Sequence, residues 1–349
     1  MKIVVNAVPA ISGTTHERIF GTGLLNALTG LIPEAEFYFE QFFNDGEFAH
    51  LESVKVVNPH EMEDGTYLCL APSDECNPGL QPFLQVVHDI DKIRFPNKGF
   101  WQRLFRGHDA TEMYSSLANA ILVPHTTLRQ HLINQYAIPP AKIHVVGHGL
   151  PPEELRIIPA DSVTRRITKE VYGNEHSYFL AKATGHVSDN LERLFAAYDI
   201  FRRRCPEPVR LLIETEGKQQ PKPVRKAHRQ AQYQTDIVFL SQLSLAERRK
   251  VVSSARAVVD VSLSSAFPLP VLDAWTAEVP VVSTNREILQ GAGTQVQGED
   301  INSIAEGLVT LVTTPFLASG LVANGKRRVL EFTWEKVAER VATVIRQHQ

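Results

Sequence analysis

Short apolar runs rich in Val, Ile and Leu alternate along the chain with longer segments that mix apolar and polar residues. This alternation is typical of parallel strands that are buried on both faces and connected by helices. In the first half of the sequence it predicts strands at 2–8, 67–71, 84–88, 120–123 and 143–146. In the second half it predicts strands at 178–182, 209–213, 236–240, 257–261 and 279–283. Helical patterns follow each set, so we expect two doubly wound α/β units.

The boundary between the two units is expected just after Leu150. Pro151 and Pro152 interrupt the alternation there, and a charged segment precedes the next predicted strand. Breaks of this kind are typical of domain boundaries. We therefore expect four parts in the chain: a first domain at 1–150, a linker at 151–177, a second domain at 178–331 and a final helix at 332–349.

Length, composition and charge limit the class of protein. The chain has 349 residues, more than one hydrophobic core usually organises, which agrees with two domains. Its net charge of -3 gives no general electrostatic reason to bind nucleic acid. No apolar run approaches the roughly 18 residues of a membrane-spanning helix, and the run at 2–8 meets Pro9 too early for a signal-peptide core. We expect a globular protein in the cytoplasm.

The cysteines are Cys69, Cys76 and Cys205. Their number is odd, and their spacing is not that of metal ligands. They therefore favour a reducing compartment without structural disulfides, and no zinc site is expected.

The stretch from Lys218 to Arg229 is strongly basic, with five Lys or Arg residues around two prolines. A solvated polar loop explains this composition, and the lack of interleaved aromatic residues favours that interpretation. A surface for an anionic, lipid-linked acceptor at the inner face of a membrane is the second hypothesis. It would make this a peripheral membrane contact.

From residue 118 onward, several motifs follow one another in a fixed order. A predicted strand and helix at 118–132 lead to the phrase PPAKIHVVGHG at 139–149. Further motifs lie at 190–194, 202–204, 238–263, 269–274, 279–282 and 332–338. In order and spacing they resemble glycosyltransferase family 4, the glycosyl transferases group 1. The resemblance covers 118–349 well and 1–117 loosely.

This resemblance implies the GT-B fold, an α/β architecture in which two doubly wound, Rossmann-like domains face a central cleft. The first domain would receive the acceptor, and the second would bind a nucleotide-sugar donor. The final helix at 332–349 would pack back on the first domain, since Val337, Val341 and Ile345 recur at four-residue spacing. The implied reaction transfers a hexose to a glycan, lipid-linked or protein acceptor by a retaining route without metal or cofactor.

The family binds the donor diphosphate partly with an Arg and a Lys after the first strand of the second domain. Alignment on Asn190 and Leu191 places Thr184 at the Arg position and Asp189 at the Lys position, so both cations are absent. As a structural element, Asp189 is expected to cap the following helix together with Glu192. Two carboxylates at a helix start repel a phosphate that would bind there.

Lys182 and His186 lie close enough in sequence to replace the missing cations as phosphate contacts. The alternative is that Lys182 is an ordinary lysine at a strand end and that His186 is a solvated turn residue. The alternative is favoured for both.

A second family element carries two acidic residues eight positions apart, which contact the donor sugar and the ribose. Here Ser265 occupies the first position and Asp273 the second, so the ribose contact is expected to persist and the sugar contact loses its charge. Between them the family's Gly-Phe-Gly is replaced by Ala266, Phe267 and Pro268, which offers fewer backbone N–H groups. The remaining donor-binding candidates, beside the nucleotide base or at the helix start, are Leu240, Ser241 and Leu269.

In the first domain, His88 and Asp89 match a family pair at the cleft. The resemblance places His88 near the sugar and acceptor, with Asp89 fixing its ring, as catalytic residues. The alternative is a histidine at a strand end that is satisfied by a backbone carbonyl.

A weaker match concerns the family's first Gly-rich loop, on the acceptor side. Gly13, Thr14 and His16 occupy that loop in this chain. Ordinary turn chemistry explains these residues as well.

Two hypotheses about function follow. The first is an active hexosyltransferase that builds a bacterial-type surface glycan or glycoconjugate. The second is a catalytically silent GT-B protein that recognises a glycan or supports an active glycosyltransferase partner, since Thr184, Asp189, Ser265 and Pro268 all depart from the family pattern.

Overall fold

Apolar runs that are buried on both faces form two parallel sheets, in agreement with the alternation in the sequence. The computed structural model describes residues 1–6, 9–10, 13–40, 54–57, 62, 64–71, 79, 82–91, 115–215, 217 and 220–348. The chain divides into two compact units, and each has its own sheet. The first unit consists of Met1–Pro152, Ser265–Phe267 and Phe332–Gln349, and the second of Glu153–Ser264 and Pro268–Glu331.

The first unit has a sheet of seven parallel strands in the order β3-β2-β1-β4-β5-β6-β7. Its strands are β1 Lys2–Asn6, β2 Glu36–Glu40, β3 Val54–Val57, β4 Thr66–Cys69, β5 Phe83–Val86, β6 Ala120–Val123 and β7 Ile143–Val145. The strand order reverses between β1 and β4. This switch point is where doubly wound sheets usually bind ligands, at the carboxyl ends of the strands.

The second unit has a sheet of six parallel strands in the order β10-β9-β8-β11-β12-β13. Its strands are β8 Ser177–Ala183, β9 Val209–Thr215, β10 Ile237–Ser241, β11 Ala257–Asp260, β12 Val281–Ser283 and β13 Thr294–Gln295. Here the strand order reverses between β8 and β11. The carboxyl ends of these two strands are therefore the expected ligand edge of this unit.

Helices cover the faces of both sheets. In chain order the described α-helices are α1 Thr15–Leu31, α2 Thr126–Tyr136, α3 Ser162–Gly173, α4 Leu191–Arg204, α5 Lys222–Gln230, α6 Leu245–Ser253, α7 Leu269–Thr276, α8 Arg286–Leu289, α9 Ile301–Thr313, α10 Pro315–Arg328 and α11 Trp334–Gln347. Helices α1, α2 and α11 belong to the first unit, and the other eight belong to the second. No single one of these helices is long and apolar enough to cross a membrane. Among the described residues, only α9 and α10 taken together meet the length and hydropathy required, and that pair is sharply bent.

Helix α11 packs on α1 inside the first unit, and its apolar stripe of Val337, Val341 and Ile345 is fully buried. Trp334 begins the helix and lies against Gly23 and Gly149, where an added Cβ would come within 2.0 and 2.4 Å of the indole ring. The indole N–H of Trp334 donates to the Leu150 carbonyl at 2.7 Å. The two glycines therefore provide the room that this ring occupies.

The strands that the sequence pattern did not predict are β2, β3 and β13. Strand β2 reads EFYFE, three aromatic residues between two glutamates, whereas the predicted strands were recognised from apolar runs rich in Val, Ile and Leu. Strands β3 and β13 lie at the edges of their sheets and have only four and two residues. The segment expected to be a linker, 151–177, contains helix α3, and from Glu153 onward it belongs to the second unit.

Two local expectations are also corrected. Cys69 takes part in a disulfide bond, while Cys205 is free and buried. An odd number of cysteines excludes complete pairing but not one pair, so the cysteine argument for a reducing compartment fails. The basic stretch is not a loop from Lys222 onward, because Lys222–Gln230 forms helix α5. Lys218 lies outside the described residues, as does Cys76.

Candidate functional site

The turn after β8 lies at the switch point of the second unit and is organised by Asp189. Its carboxylate is buried and accepts hydrogen bonds from the backbone N–H groups of Thr184, Gly185 and His186, at 2.9 to 3.1 Å. The hydroxyl of Thr184 donates to it as well, at 2.9 Å. Burial raises the pKa of Asp189, while these four donors act in the opposite direction.

The expectation that Asp189 caps the next helix is wrong. The residue before α4 is Asn190, which adopts a left-handed backbone with φ of 60° and makes no side-chain cap. Its amide instead donates to the carbonyls of Val261 and Gly298, at 2.9 and 2.7 Å. Asp189 ends a short 3-10 turn one residue earlier, and that turn directs its carboxylate back to the β8 end.

Lys182 and His186 flank this turn. Lys182 is half-buried near the end of β8 and stands in register with Glu214 on β9. The Nδ1 atom of His186 lies 2.9 Å from the Ser188 hydroxyl and accepts from the Ser188 N–H. His186 is therefore held by its own turn, and its role as a phosphate contact stays a prediction.

Asp260, at the end of β11, is a second carboxyl group at this edge that the sequence interpretation missed. Burial raises the pKa of Asp260 to about 6, and the nearby charge of Asp189 adds to the shift. Hydrogen bonds from the Ser262 N–H and the Ser283 hydroxyl oppose it. A carboxyl group that titrates near neutrality at a ligand edge is a common feature of functional sites.

Asp273 belongs to a buried ionic network in the second unit. The guanidinium of Arg248 on α6 donates to Asp273 at 2.7 Å and to Glu214 at 2.7 Å. Asp273 is the expected ribose contact, and one of its two oxygens is committed to Arg248. Sequence reasoning missed Arg248 because nothing in its local sequence separates it from the surrounding Arg and Lys residues.

The other donor-binding candidates in this unit differ in exposure. Leu240 is half-buried at the end of β10, and its carbonyl accepts from the Thr215 hydroxyl at 3.3 Å. Ser241 is exposed, and Leu269 is buried as the first residue of α7. Leu240 and Ser241 therefore mark the end of one strand, and their contact with a nucleotide base stays a prediction.

Ser265, Ala266 and Phe267 belong to the first unit, although the sequence pattern placed them in the second domain. The N–H and the hydroxyl of Ser265 both donate to Asp91, at 2.7 and 2.8 Å. The Ser265 hydroxyl also accepts from the Ile90 N–H at 2.8 Å. The polar groups of Ser265 that were expected to face a donor sugar are thus engaged inside the first unit.

Histidines hold the backbone of this segment. The ring of His125 bonds to the Ser265 carbonyl at 3.0 Å through Nε2, and His16 bonds to the Phe267 carbonyl at 2.8 Å in the same way. The ring of Phe267 stacks on His148 with centroids 4.4 Å apart. His125 and His148 lie within the motifs that suggested the family but were not singled out there.

His88 is buried in the first unit and donates from Nε2 to the Leu70 carbonyl at 2.7 Å. Its ring also meets the edge of Phe20, with centroids 5.1 Å apart. Asp89 is exposed and accepts from the Asp91 N–H at 3.0 Å. The hydrogen bond to Leu70 is the one expected if His88 is a histidine at a strand end that is satisfied by a backbone carbonyl. Burial lowers the pKa of His88.

His148 is a second buried histidine in this group with a lowered pKa. Burial lowers its pKa to about 3, and the neighbouring rings of His16, His88 and His125 contribute to the shift. Its Nδ1 donates to the Gly149 carbonyl at 2.7 Å, while Nε2 is buried without a partner among the described residues. His148 is therefore neutral at physiological pH.

Gly13 and Thr14 build the start of α1. Thr14 and Glu17 form a capping box, in which the Glu17 carboxylate accepts from the Thr14 N–H at 2.6 Å. An added Cβ on Gly13 would lie 2.3 Å from the Pro9 carbonyl oxygen. Helix capping thus accounts for both residues, and their acceptor role stays a prediction.

Within the described residues, no group of three His, Cys, Asp or Glu side chains is arranged to hold a metal ion.

Comparisons with known proteins give one sequence match and a consistent set of structures. Residues 175–314 match the family model described as glycosyl transferases group 1. A glycosyltransferase from Rickettsia africae ESF-5 is similar with a TM-score of 0.69 at 11% identity, covering 99% of this chain and 98% of that chain. Sucrose-phosphate synthase from Thermosynechococcus elongatus gives a TM-score of 0.70 at 15% identity, covering 99% and 98%.

A third solved structure carries ligands. Anabaena HepE in complex with UDP and glucose gives a TM-score of 0.68 at 13% identity, covering 99% of this chain and 100% of that chain. A search of curated protein sequences found no match. At these identities the structural likeness establishes the fold.

Proposed function

We propose, from the premise that this chain has the GT-B fold and carries a glycosyl transferases group 1 domain at 175–314, that it transfers a hexose from a nucleotide-sugar donor to a glycan or glycoconjugate acceptor. The acceptor classes are those expected from the resemblance: a glycan, a lipid-linked sugar or a protein. The complex of Anabaena HepE with UDP and glucose supports a nucleotide-sugar donor.

The observation that carries the proposal is the turn after β8 at the switch point of the second unit. Three backbone N–H groups, those of Thr184, Gly185 and His186, converge there on one anionic group. Convergent N–H groups of this kind bind phosphates in doubly wound domains. We assign the leaving diphosphate to this turn, where it would be neutralised without a metal ion.

The Asp189 carboxylate accepts hydrogen bonds from the same backbone N–H groups that a diphosphate would need. A buried carboxylate and a diphosphate in the same turn repel each other, so donor binding requires that Asp189 rotates away or takes up a proton. The raised pKa of Asp189 makes the second route easier. We therefore expect weak binding of nucleotide diphosphates at neutral pH.

In this proposal Asp273 contacts the ribose with the oxygen that does not bind Arg248. Arg248 then acts as a positioning residue, because it fixes the Asp273 carboxylate against Glu214. His88, Asp89, Gly13, Thr14 and His16 stay acceptor-side candidates. The burial of His88 makes a direct contact with substrate depend on a change in the first unit.

The same turn favours a second candidate function, a catalytically silent GT-B protein that recognises a glycan or supports a glycosyltransferase partner. The four hydrogen bonds to Asp189 complete the turn without any ligand. Each charge-assisted bond of this kind contributes about 1.5–3 kcal/mol, so a ligand that competes for them starts at a large disadvantage.

Calorimetric titration with UDP and GDP separates the two functions. We expect weak binding by the wild type and at least roughly tenfold tighter binding by Asp189→Ala, which frees the three N–H groups. Asp199→Ala is the matched control, because the Asp199 carboxylate also accepts two backbone N–H groups, those of Gln232 and Tyr233. The double variant Thr184→Arg with Asp189→Lys should bind more tightly still, since it restores two cations.

Tight binding by the wild type would mean that Lys182 or another cation already compensates, and would support the active enzyme directly. If the wild type, Asp189→Ala, Asp199→Ala and the double variant all fail to bind nucleotide, with folding verified by circular dichroism, the transferase proposal is contradicted. That result would favour the catalytically silent GT-B protein.

A further inference from the structure

Helix α3 exposes its apolar side chains instead of burying them. Val163, Ile167 and Val171 are 53%, 49% and 67% exposed, respectively. They are spaced four residues apart, so they form one continuous stripe along the helix. A helix at the surface of a globular unit normally turns such a stripe towards the core.

The inward side of α3 is polar. Thr168 is buried, and its hydroxyl donates to the Thr164 carbonyl at 2.7 Å. The hydroxyl of Tyr172 donates to Glu247 on α6 at 3.3 Å, and Gly173 packs against the ring of Tyr178. The Tyr172 hydroxyl and the close packing of Gly173 therefore attach the helix to its unit.

Both ends of α3 are well defined. The carboxylate of Asp161 accepts from the Thr164 N–H at 2.7 Å and caps the first turn. Asn174 adopts a left-handed backbone with φ of 48° at the last turn, as is common where helices end. The outward position of the stripe thus belongs to a fixed helix and not to a loose connection.

Arg166 and Glu170 lie beside the stripe, one helical turn apart, with side chains 72% and 54% exposed. Their charged groups are 3.8 Å apart, and such an exposed pair contributes little to stability. In an antiparallel arrangement with a second α3, the two charges meet their opposites. Arg166 then faces Glu170 of the second copy, while Val163 faces Val171 and Ile167 lies at the centre.

We propose that α3 is a self-association surface, on which two copies of this chain dock antiparallel about a twofold axis at Ile167. A twofold interface requires that one patch complements itself, and the stripe with its flanking charges does so. Rows of side chains four residues apart also interlock in the commonest class of helix packing. The pairing of Arg166 with Glu170 across the axis fits a second copy of this chain, and an anionic membrane is the occupant that the experiments below separate from it.

The size of the surface sets the expected strength. One pair of short helices buries less than about 1,200 Å², which is typical of weak and transient contacts. The dimer should therefore accumulate only as the protein concentration rises through the micromolar range. This inference is independent of the transferase proposal, because no donor-site residue takes part in it.

Sedimentation equilibrium of the full chain over that concentration range tests the surface. Ile167→Asp should weaken dimerisation at least about tenfold, since it places two carboxylates at the axis. Phe316→Asp is the matched control: Phe316 is 91% exposed on α10, a helix that packs on α7 and α9. A wild type that stays monomeric, or a dimer that Ile167→Asp leaves unchanged, would overturn the proposal.

Charge exchange tests the antiparallel arrangement. Glu170→Arg alone and Arg166→Glu alone should each weaken the dimer, because like charges then face each other. The double variant with both changes should recover wild-type association, since each copy again meets its opposite. Recovery is specific to a self-complementary pair, so failure of the double variant, with folding intact, contradicts the arrangement. Binding to anionic vesicles that depends on Ile167, by a monomeric protein, would assign the stripe to a membrane instead.

Discussion

The two units share a parallel, doubly wound sheet but bury opposite chemistry near their switch points. The first unit gathers histidines, of which His88 and His148 have a lowered pKa because they are buried. The second unit gathers carboxyl groups, and burial raises the pKa of Asp189 and Asp260. In both units burial favours the neutral form of the group. The comparison shows that one backbone plan can give two sites with opposite responses to acid.

The sign of each response follows from which state binds more protons. As the pH falls, a buried histidine with a lowered pKa takes up its proton in the unfolded chain before it does so in the folded protein. Acid therefore destabilises the first unit. A buried carboxyl group with a raised pKa is protonated first in the folded protein, so acid stabilises the second unit relative to neutral pH. One change of pH is therefore expected to shift the stabilities of the two units in opposite directions.

The largest effect is expected from the tryptophan that each unit packs against glycine. Trp334 lies on Gly23 and Gly149 in the first unit, and Trp275 lies on Gly325 in the second. We expect Trp275→Ala and Trp334→Ala each to cost about 3–5 kcal/mol, the latter at the lower end because Trp334 is only half-buried. Hydrogen exchange read by mass spectrometry should show the loss of protection in the altered unit. Equal loss in both units would contradict the assignment of each tryptophan to the packing of one unit.

The next effect concerns acid and the first unit. His148 has a pKa of about 3 when folded, so the stability of this unit is complete above about pH 6.5 and falls as the pH drops from there towards 3. The loss should reach up to about 4 kcal/mol. His148→Phe should flatten this dependence of stability on pH. The measurement is urea unfolding at several pH values, with hydrogen exchange in the first unit as the readout. Burial also lowers the pKa of His88, so an unchanged slope would assign the effect to that ring.

A smaller effect of opposite sign is expected in the second unit. Asp260, with a pKa of about 6 when folded, contributes stability below about pH 4 that is lost as the pH rises to 6. Asp260→Asn should therefore stabilise the protein by about 1–3 kcal/mol at pH 8 and change little at pH 4. Thermal unfolding at both pH values measures this difference. Destabilisation at pH 8 would mean that the charged form is needed by Ser262 and Ser283.

Most of the fold could be predicted from the sequence, because buried parallel strands are continuous apolar runs. Strands β8 and β9 and the stripe of α11 illustrate this, since a single physical cause, burial, fixes their pattern. Strand β13 could not be predicted, because two residues carry no measurable period. Strand β3 lies at a sheet edge and reads VKVV, so Lys55 interrupts its apolar run. The outward stripe of α3 was also hidden, since a periodic pattern does not say which side faces the core.

The candidate site was less predictable, because its contacts join residues that are distant in sequence. Asp189 was expected at a helix start, but the left-handed conformation of Asn190 moves it into the preceding turn. The pairing of Asp273 with Arg248 and the engagement of Ser265 by Asp91 leave no local signal. The positions at which the sequence departs from the family pattern stay a prediction, and the partners of these side chains required the structure.

The packing of α11 also sets an order of events during synthesis. Trp334 completes the first unit against Gly23 and Gly149, yet it is translated after every residue of the second unit, which ends at Glu331. Domains usually fold in the order in which they leave the ribosome. In this chain the first unit emerges first but cannot complete its packing until α11 is translated. Until then the surface of α1 stays uncovered, although the second unit already has all of its residues. The first unit is thus the one whose apolar surface stays uncovered longest during translation.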